Sequence, residues 1–130
     1  MSRRRVAVTG LGIVSPVGIG LAAAWEAIVA GRPGIGTITR FDASSFPVRI
    51  AGEVKGFDVS KWLSAKEARR YDTFVHYGLV ASMEAVRDAG LEGWEGDRER
   101  AGVCVGSGIG GLQMIEETHT AYQTGGLRKV

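Results

Sequence analysis

At 130 residues, with 45% hydrophobic and 23% charged side chains, the chain has the composition of one globular domain, which excludes a disordered segment. Sixteen Lys and Arg against fourteen Asp and Glu leave a formal charge of +2, too small a balance to imply nucleic acid or a membrane surface as a partner. The single cysteine, Cys104, excludes an intrachain disulfide and a multi-cysteine metal site and fits a reducing compartment, so the chain reads as cytoplasmic.

The first five residues are basic but run into Val6-Ala7-Val8-Thr9, far too short for the core of a signal peptide. No other run approaches the roughly 20 apolar residues of a membrane span. Residues 6–9 are apolar without alternation and predict a strand covered on both faces. Gly10-Leu11-Gly12-Ile13-Val14-Ser15-Pro16 then turns the chain. From Leu21 the apolar residues Leu21, Ala24, Trp25, Ile28 and Val29 fall on one helical stripe, stopped by Gly31 with Pro33 beyond it. Trp25 is expected in the core, with Trp62 and Trp94 as local packing anchors.

Residues 32–63 lack helical periodicity, and Val48, Ile50 and Val54 alternating with Arg49, Glu53 and Lys55 predict an extended, half-buried segment. Ser64-Ala65-Lys66-Glu67 has the spacing of a capping box, which starts a short basic helix. A longer helix follows to about Ala89 and stops at Gly90. Val75, Leu79, Met83 and Val86 lie on one side of it and Gly78, Ala81, Ser82 and Ala85 on another. The small side permits close approach of a neighbouring backbone. Val103-Cys104-Val105 predicts a second core strand, and the turn Gly106-Ser107-Gly108-Ile109-Gly110-Gly111 leads into a third helix carrying Leu112, Ile115, His119 and Tyr122, ended by Gly125-Gly126. Strand and helix alternate, so the class is α/β with a mainly parallel sheet, without an internal domain boundary. Two core strands leave that sheet incomplete.

Four features invite chemistry. Residues 106–111 match G-x-G-x-x-G, the turn that lets a pyrophosphate approach a helix amino terminus, but the acid expected about 20 residues on is missing. A dinucleotide-binding oxidoreductase domain stays an alternative; close packing of a loop over a neighbouring site is the simpler use of the glycines. Cys104 between two valines reads as a small core residue, because a thiol buried in apolar surroundings is inert. His76 and His119 show no metal-ligand spacing and read as structural, and no cofactor is expected. Finally, Lys61, Lys66, Arg69 and Arg70 against Glu67 leave a local charge of +3, and Arg128 and Lys129 make a second basic point. As a functional surface these cations would orient an acidic partner; the residues alone do not choose between an acidic protein and a phosphate group.

Taken together, residues 6–12, Ser15-Pro16-Val17-Gly18, Phe41-Asp42, the stretch from Lys66-Glu67 to Asp72, residues 106–111, Glu116-Glu117-x-His119-Thr120 and Gly125-Gly126-x-Arg128-Lys129 resemble, in order, the opening of the elongating bacterial β-ketoacyl-(acyl-carrier-protein) synthases, the type II enzymes of fatty acid synthesis. The resemblance implies a thiolase-like fold of two similar halves, each around a five-stranded mixed sheet, in a homodimer. It implies a cysteine nucleophile at a helix amino terminus, whose dipole favours the thiolate, and two histidines that assist decarboxylation of malonyl-carrier protein. None of these three matches a position here, so no catalytic residue is assigned: all are expected beyond residue 130, and residues 1–130 alone are expected to be inactive and to fold poorly. What carries over is Ile109, matching the isoleucine that gates the acyl pocket, with Gly108 beside it, and Lys66, Arg69, Arg70, Arg128 and Lys129, matching positions that dock acyl-carrier protein. A non-catalytic ketosynthase-like partner subunit, its cysteine lost, is the other alternative.

Overall fold

The structure is a computed structural model, which describes residues 3–129. They fall into two compact units: one holds the chain up to Asp58 together with Leu79–Trp94, and the other holds Val59–Gly78 together with the chain from Glu95 on.

In the first unit the turn at Pro16-Val17 closes a minimal antiparallel hairpin, β1 (Val14–Ser15) and β2 (Gly18–Ile19), with Ser15 opposite Gly18. The Ser15 hydroxyl donates to the Gly18 carbonyl at 3.1 Å, and Gly20 N–H donates back to Ile13 O at 2.9 Å. Helix α1 (Leu21–Val29) starts directly after it and is ended by Gly31 at φ +65°. Antiparallel β3 (Ile35–Thr37) and β4 (Ile50–Gly52) follow. Their open end is closed by Glu53, whose carboxylate accepts from the Thr39 amide, the Thr39 hydroxyl and the Arg40 amide. The extended segment predicted around Ile50 is thus a strand, although Ile50 itself stays exposed.

Helix α3 (Thr73–Asp88) gives its first residues to the second unit and the remainder to the first. Its small face works as its composition predicts. Residues 10–12 lie so close to Ala81, Ala85 and Ala89 that a Cβ on Gly10 would stand 2.6 Å from the Ala89 nitrogen, and one on Gly12 would stand 2.7 Å from the Ala85 nitrogen. The Leu11 amide donates to Asp88 Oδ2 at 2.9 Å and fixes the crossing. Val80 is fully enclosed, whereas Leu79, Met83 and Val86 remain partly open to solvent.

In the second unit a 3₁₀ turn (Val59–Lys61) precedes α2 (Ala65–Ala68), another (Arg98–Arg100) follows α3, and α4 (Leu112–Gly125) passes into a third (Gly126–Lys129) through Gly126 at φ +64°.

Three expectations are corrected. The predicted strands at residues 6–9 and 103–105 pair with nothing among the described residues, and Val6 and Val103 are 88% and 86% exposed. An apolar run becomes a buried strand only when neighbours complete its ladder and cover its faces, and none of the described segments does so. Both ladders present are antiparallel and two-stranded. Cys104 is for the same reason exposed rather than buried. In α1 the buried residues are Ala24 and Ala27, and Trp25 is 63% exposed, because the small alanine face admits the hairpin backbone: the Gly18 Cα has Ala24 N so near that a Cβ would stand 2.7 Å from it.

Candidate functional site

The second unit contains every residue assigned to a site from the sequence. Helix α2 forms because Ser64 and Glu67 close a full capping box: Ser64 Oγ accepts from the Glu67 amide at 3.3 Å, and Glu67 Oε2 accepts from the Ser64 amide at 3.0 Å and from its hydroxyl at 2.6 Å. These bonds, the backbone one first after the hydroxyl, hold the Glu67 carboxyl below the ordinary glutamate range, with Arg70 adding to the effect. The box spends the one acid of the helix on its own terminus, so Lys66, Arg69 and Arg70 project from it as exposed cations. Arg69 Nε donates to the Ala65 carbonyl, and the Arg70 guanidinium stands 6.0 Å from the Tyr71 ring centre. Arg128 and Lys129 lie exposed in the turn after α4. None of these five cations forms an ion pair among the described residues. An unpaired surface cation steers and orients an acidic partner without first having to release an internal one.

His76, the buried histidine predicted to be structural, has Nε2 3.0 Å from the Ala68 carbonyl and ties the end of α2 to α3. His119 is exposed instead: with Met114, Ile115, Thr118, Tyr122 and Leu127 it lines an open apolar groove of about 420 Å³ along α4.

The glycine turn is anchored at both ends and free in the middle. Ser107 Oγ accepts from the Gly110 amide at 3.1 Å, and Gly110, at φ +81°, needs a conformation that other residues rarely adopt. Gly111 is the residue before α4 and offers no side chain to cap it. That function falls to Asp72, which sequence reasoning noticed only as part of a motif. Its Oδ1 accepts from the Thr73 amide at 2.5 Å, at the start of α3, and its Oδ2 from the Met114 amide at 3.4 Å, in the first turn of α4. A side chain on Gly111 would collide with this carboxylate. Between the anchors Gly108 has open space about it, and Ile109 is 75% exposed. The only sequence signal for Asp72 was indirect: a helix that opens on glycine must take its cap from elsewhere.

The arrangement bears on the dinucleotide alternative. A pyrophosphate on this glycine turn would rest against the first amides of α4, where the Asp72 carboxylate already accepts a bond and would repel it. Among the described residues no group of three or more acidic, histidine or cysteine side chains could hold a metal ion, and no helix is long and apolar enough to cross a membrane.

Residues 3–129 match the beta-ketoacyl synthase, N-terminal domain, family. The 3-oxoacyl-[acyl-carrier-protein] synthase 2 of Vibrio cholerae serotype O1 is 49% identical over 130 residues, which is 100% of this chain and 31% of that protein. Among solved structures, the ishigamide ketosynthase/chain length factor superposes with a TM-score of 0.76 at 30% identity, over 96% of this chain and 31% of that one. A type II polyketide acyl-carrier protein in complex with its ketosynthase bound to the hexaketide gives a TM-score of 0.76 at 27% identity, over 98% of this chain and 33% of that one. The chain therefore spans about a third of the length of the relatives it matches, and over that span it has their α/β, thiolase-like architecture. With the family's amino-terminal domain matched from residue 3 to residue 129, this chain belongs to the beta-ketoacyl synthases.

Proposed function

We propose that this chain is the opening portion of an elongating condensing enzyme, a 3-oxoacyl-(acyl-carrier-protein) synthase of type II, and that its own part in the reaction is to receive the carrier protein and shape the acyl pocket. The observation that carries the reading is the identity of 49% across all 130 residues to a synthase of that activity. The local geometry supports it. Lys66, Arg69 and Arg70 on α2, with Arg128 and Lys129 after α4, are the docking cations, and acyl-carrier protein is the acidic partner. Ile109, hinged by Gly108 between two anchors, is the apolar gate of the acyl pocket. No catalytic residue lies within residues 1–130. A cysteine outside them takes the acyl group from the carrier thioester and releases the carrier thiol. Malonyl-carrier protein then loses carbon dioxide, and the resulting carbanion attacks the acyl-enzyme, returning the cysteine thiolate and a β-ketoacyl chain two carbons longer. In the complete enzyme the unpaired segments at residues 6–9 and 103–105 become members of a mainly parallel mixed sheet, in a cytoplasmic homodimer that needs no cofactor.

The test uses the full-length enzyme, residues 1–130 continued to the length of the curated relatives. Replacing Lys66, Arg69 and Arg70 with Glu together is expected to raise the KM for acyl-carrier protein at least tenfold, about 1.4 kcal/mol, and to leave turnover with a small acyl thioester substrate unchanged. An unchanged carrier KM would remove the docking assignment. A second reading, a non-catalytic partner subunit, is favoured by the likeness to the ketosynthase/chain length factor structure. The downstream gene separates the two: a cysteine opening the next helix makes the chain an enzyme, and another residue there makes it a partner.

A further inference from the structure

We propose that Asp72 is a positioning residue for the acyl gate: by capping α4 from outside that helix, it sets the conformation of the turn that carries Ile109. The proposal rests on the reading of Ile109 as the gate. Four observations carry it. Helix α4 opens on Gly111 without any side-chain cap of its own. Asp72 Oδ2 accepts from the Met114 amide, three residues into the helix, which is the bond a local Ser or Asp at Gly111 would make. Gly111 has to be glycine because the Asp72 carboxylate occupies the space of its Cβ, so the missing local cap and the distant one are two sides of the same arrangement. The turn's other anchor, Ser107 to Gly110, closes beneath Gly108 and Ile109 and leaves Gly108 unhindered, but it does not tie the turn to α4.

Asp72 also stands at the start of α3, two residues after Arg70, where its Oδ1 accepts from the Thr73 amide. One carboxylate thus bridges the amino termini of two helices. The stretch that bears the docking cations and the turn that gates the acyl tail share it as an anchor. Without it the first turn of α4 loses an accepted bond and the back half of the glycine turn loses its reference point. Ile109 then samples positions that a long acyl chain meets and a short one does not.

The experiment measures, in the full-length enzyme, kcat/KM for long against short acyl-carrier substrates, with the thermal midpoint alongside. Asp72→Ala is expected to lower the long-to-short ratio roughly tenfold, since a misplacement near 1 Å is enough for such an effect; a change in carrier docking acts on both substrates alike and cancels in the ratio. Asp72→Asn keeps the volume but presents an amide NH₂ to one of the two donors and is expected to shift the ratio in the same direction; it serves where the alanine variant fails to fold. The decisive variant is Asp72→Ala with Gly111→Ser. With the carboxylate gone, the nearest atom left to a Cβ at position 111 is the Cβ of residue 72, at 3.0 Å, which a shift of a few tenths of an ångström relieves; the serine hydroxyl can then accept from the Met114 amide, and the ratio is expected to return toward the parent value. An unchanged ratio in Asp72→Ala and Asp72→Asn, or a lowered ratio that Gly111→Ser leaves where it is, overturns the proposal. Ile109→Phe identifies which reading has failed. If it changes the ratio while the Asp72 variants do not, only the role of Asp72 is lost; if it too leaves the ratio unchanged, the gate reading falls and this proposal with it.

Discussion

Gly10 and Gly12 act by what they leave out. At Gly12 the nearest atoms to an added Cβ are the Ala81 carbonyl oxygen and the Ala85 nitrogen, both backbone of α3, and backbone in a helix cannot step aside as a side-chain tip can. Gly12→Ala is therefore expected to destabilise the full-length enzyme by about 1–3 kcal/mol, the usual cost of overpacking, read as a lower thermal midpoint. Shaving the partner should not help. Gly12→Ala with Ala81→Gly is expected to melt no higher than Gly12→Ala alone, because the obstacle is not the Ala81 methyl. Recovery in the double variant would mean that side chains, and not the two backbones, set the separation at this crossing. Gly108 poses the opposite case, with free space around it and a neighbouring residue whose proposed function needs movement. Glycine serves closeness at one site and freedom at the other, and the count of twenty conceals that difference.

Helix α2 shows how a four-residue element survives and under what conditions it fails. So short a helix cannot repay its own nucleation, and the reciprocal Ser64–Glu67 box supplies the missing terminal bonds. Ser64→Ala is expected to cost about 1 kcal/mol locally. The box also has a pH range. Because hydrogen bonds to Ser64 depress the folded Glu67 pKa, its contribution is complete above the ordinary glutamate value of about 4.3 and is lost as pH falls through the lower folded value. Amide exchange at Glu67 and Ala68 should accelerate over that acid range, and a Glu67 side chain titrating at or above the ordinary value would contradict the box. This helix was readable from sequence because its signal is local, a hydroxyl and a carboxylate three residues apart. The ends of α1, α3 and α4 at Gly31, Gly90 and Gly126 were readable for the same reason, each glycine having positive φ. What could not be read is non-local. Asp72 and Met114 are 42 residues apart, so nothing in either neighbourhood announces their bond. Trp25 and the valines at 6, 8, 103 and 105 are apolar in the pattern of core residues, but pattern shows only that a residue can be buried, and a cover has to be present for it to be so.

Surface area gives that absence of cover a magnitude. The chain exposes 10795 Å². A compact monomer of 13.8 kDa would expose about 6600 Å². Even two compact bodies of half that mass, wholly separate, would together expose only about 8000 Å², so the excess does not depend on how the two units are arranged. It arises from apolar side chains such as Val6, Val8, Trp25, Val103 and Leu127, which lie open while among the described residues the buried hydrophobic ones are only Ala24, Ala27, Ala43 and Val80. Three alanines and a valine enclose too little apolar area to offset the backbone entropy of so many ordered residues, each costing about 1–2 kcal/mol. Residues 1–130 expressed alone are accordingly expected to give a broad thermal transition, to bind a hydrophobic dye and to self-associate through the unpaired segments. The same residues within the full-length enzyme should show none of this, since the segments at 6–9 and 103–105 would there find their ladders. A sharp, concentration-independent melt of the isolated chain as a monomer would contradict the expectation at its root. It would mean that the open valines find cover within these 130 residues, in a packing other than the one described.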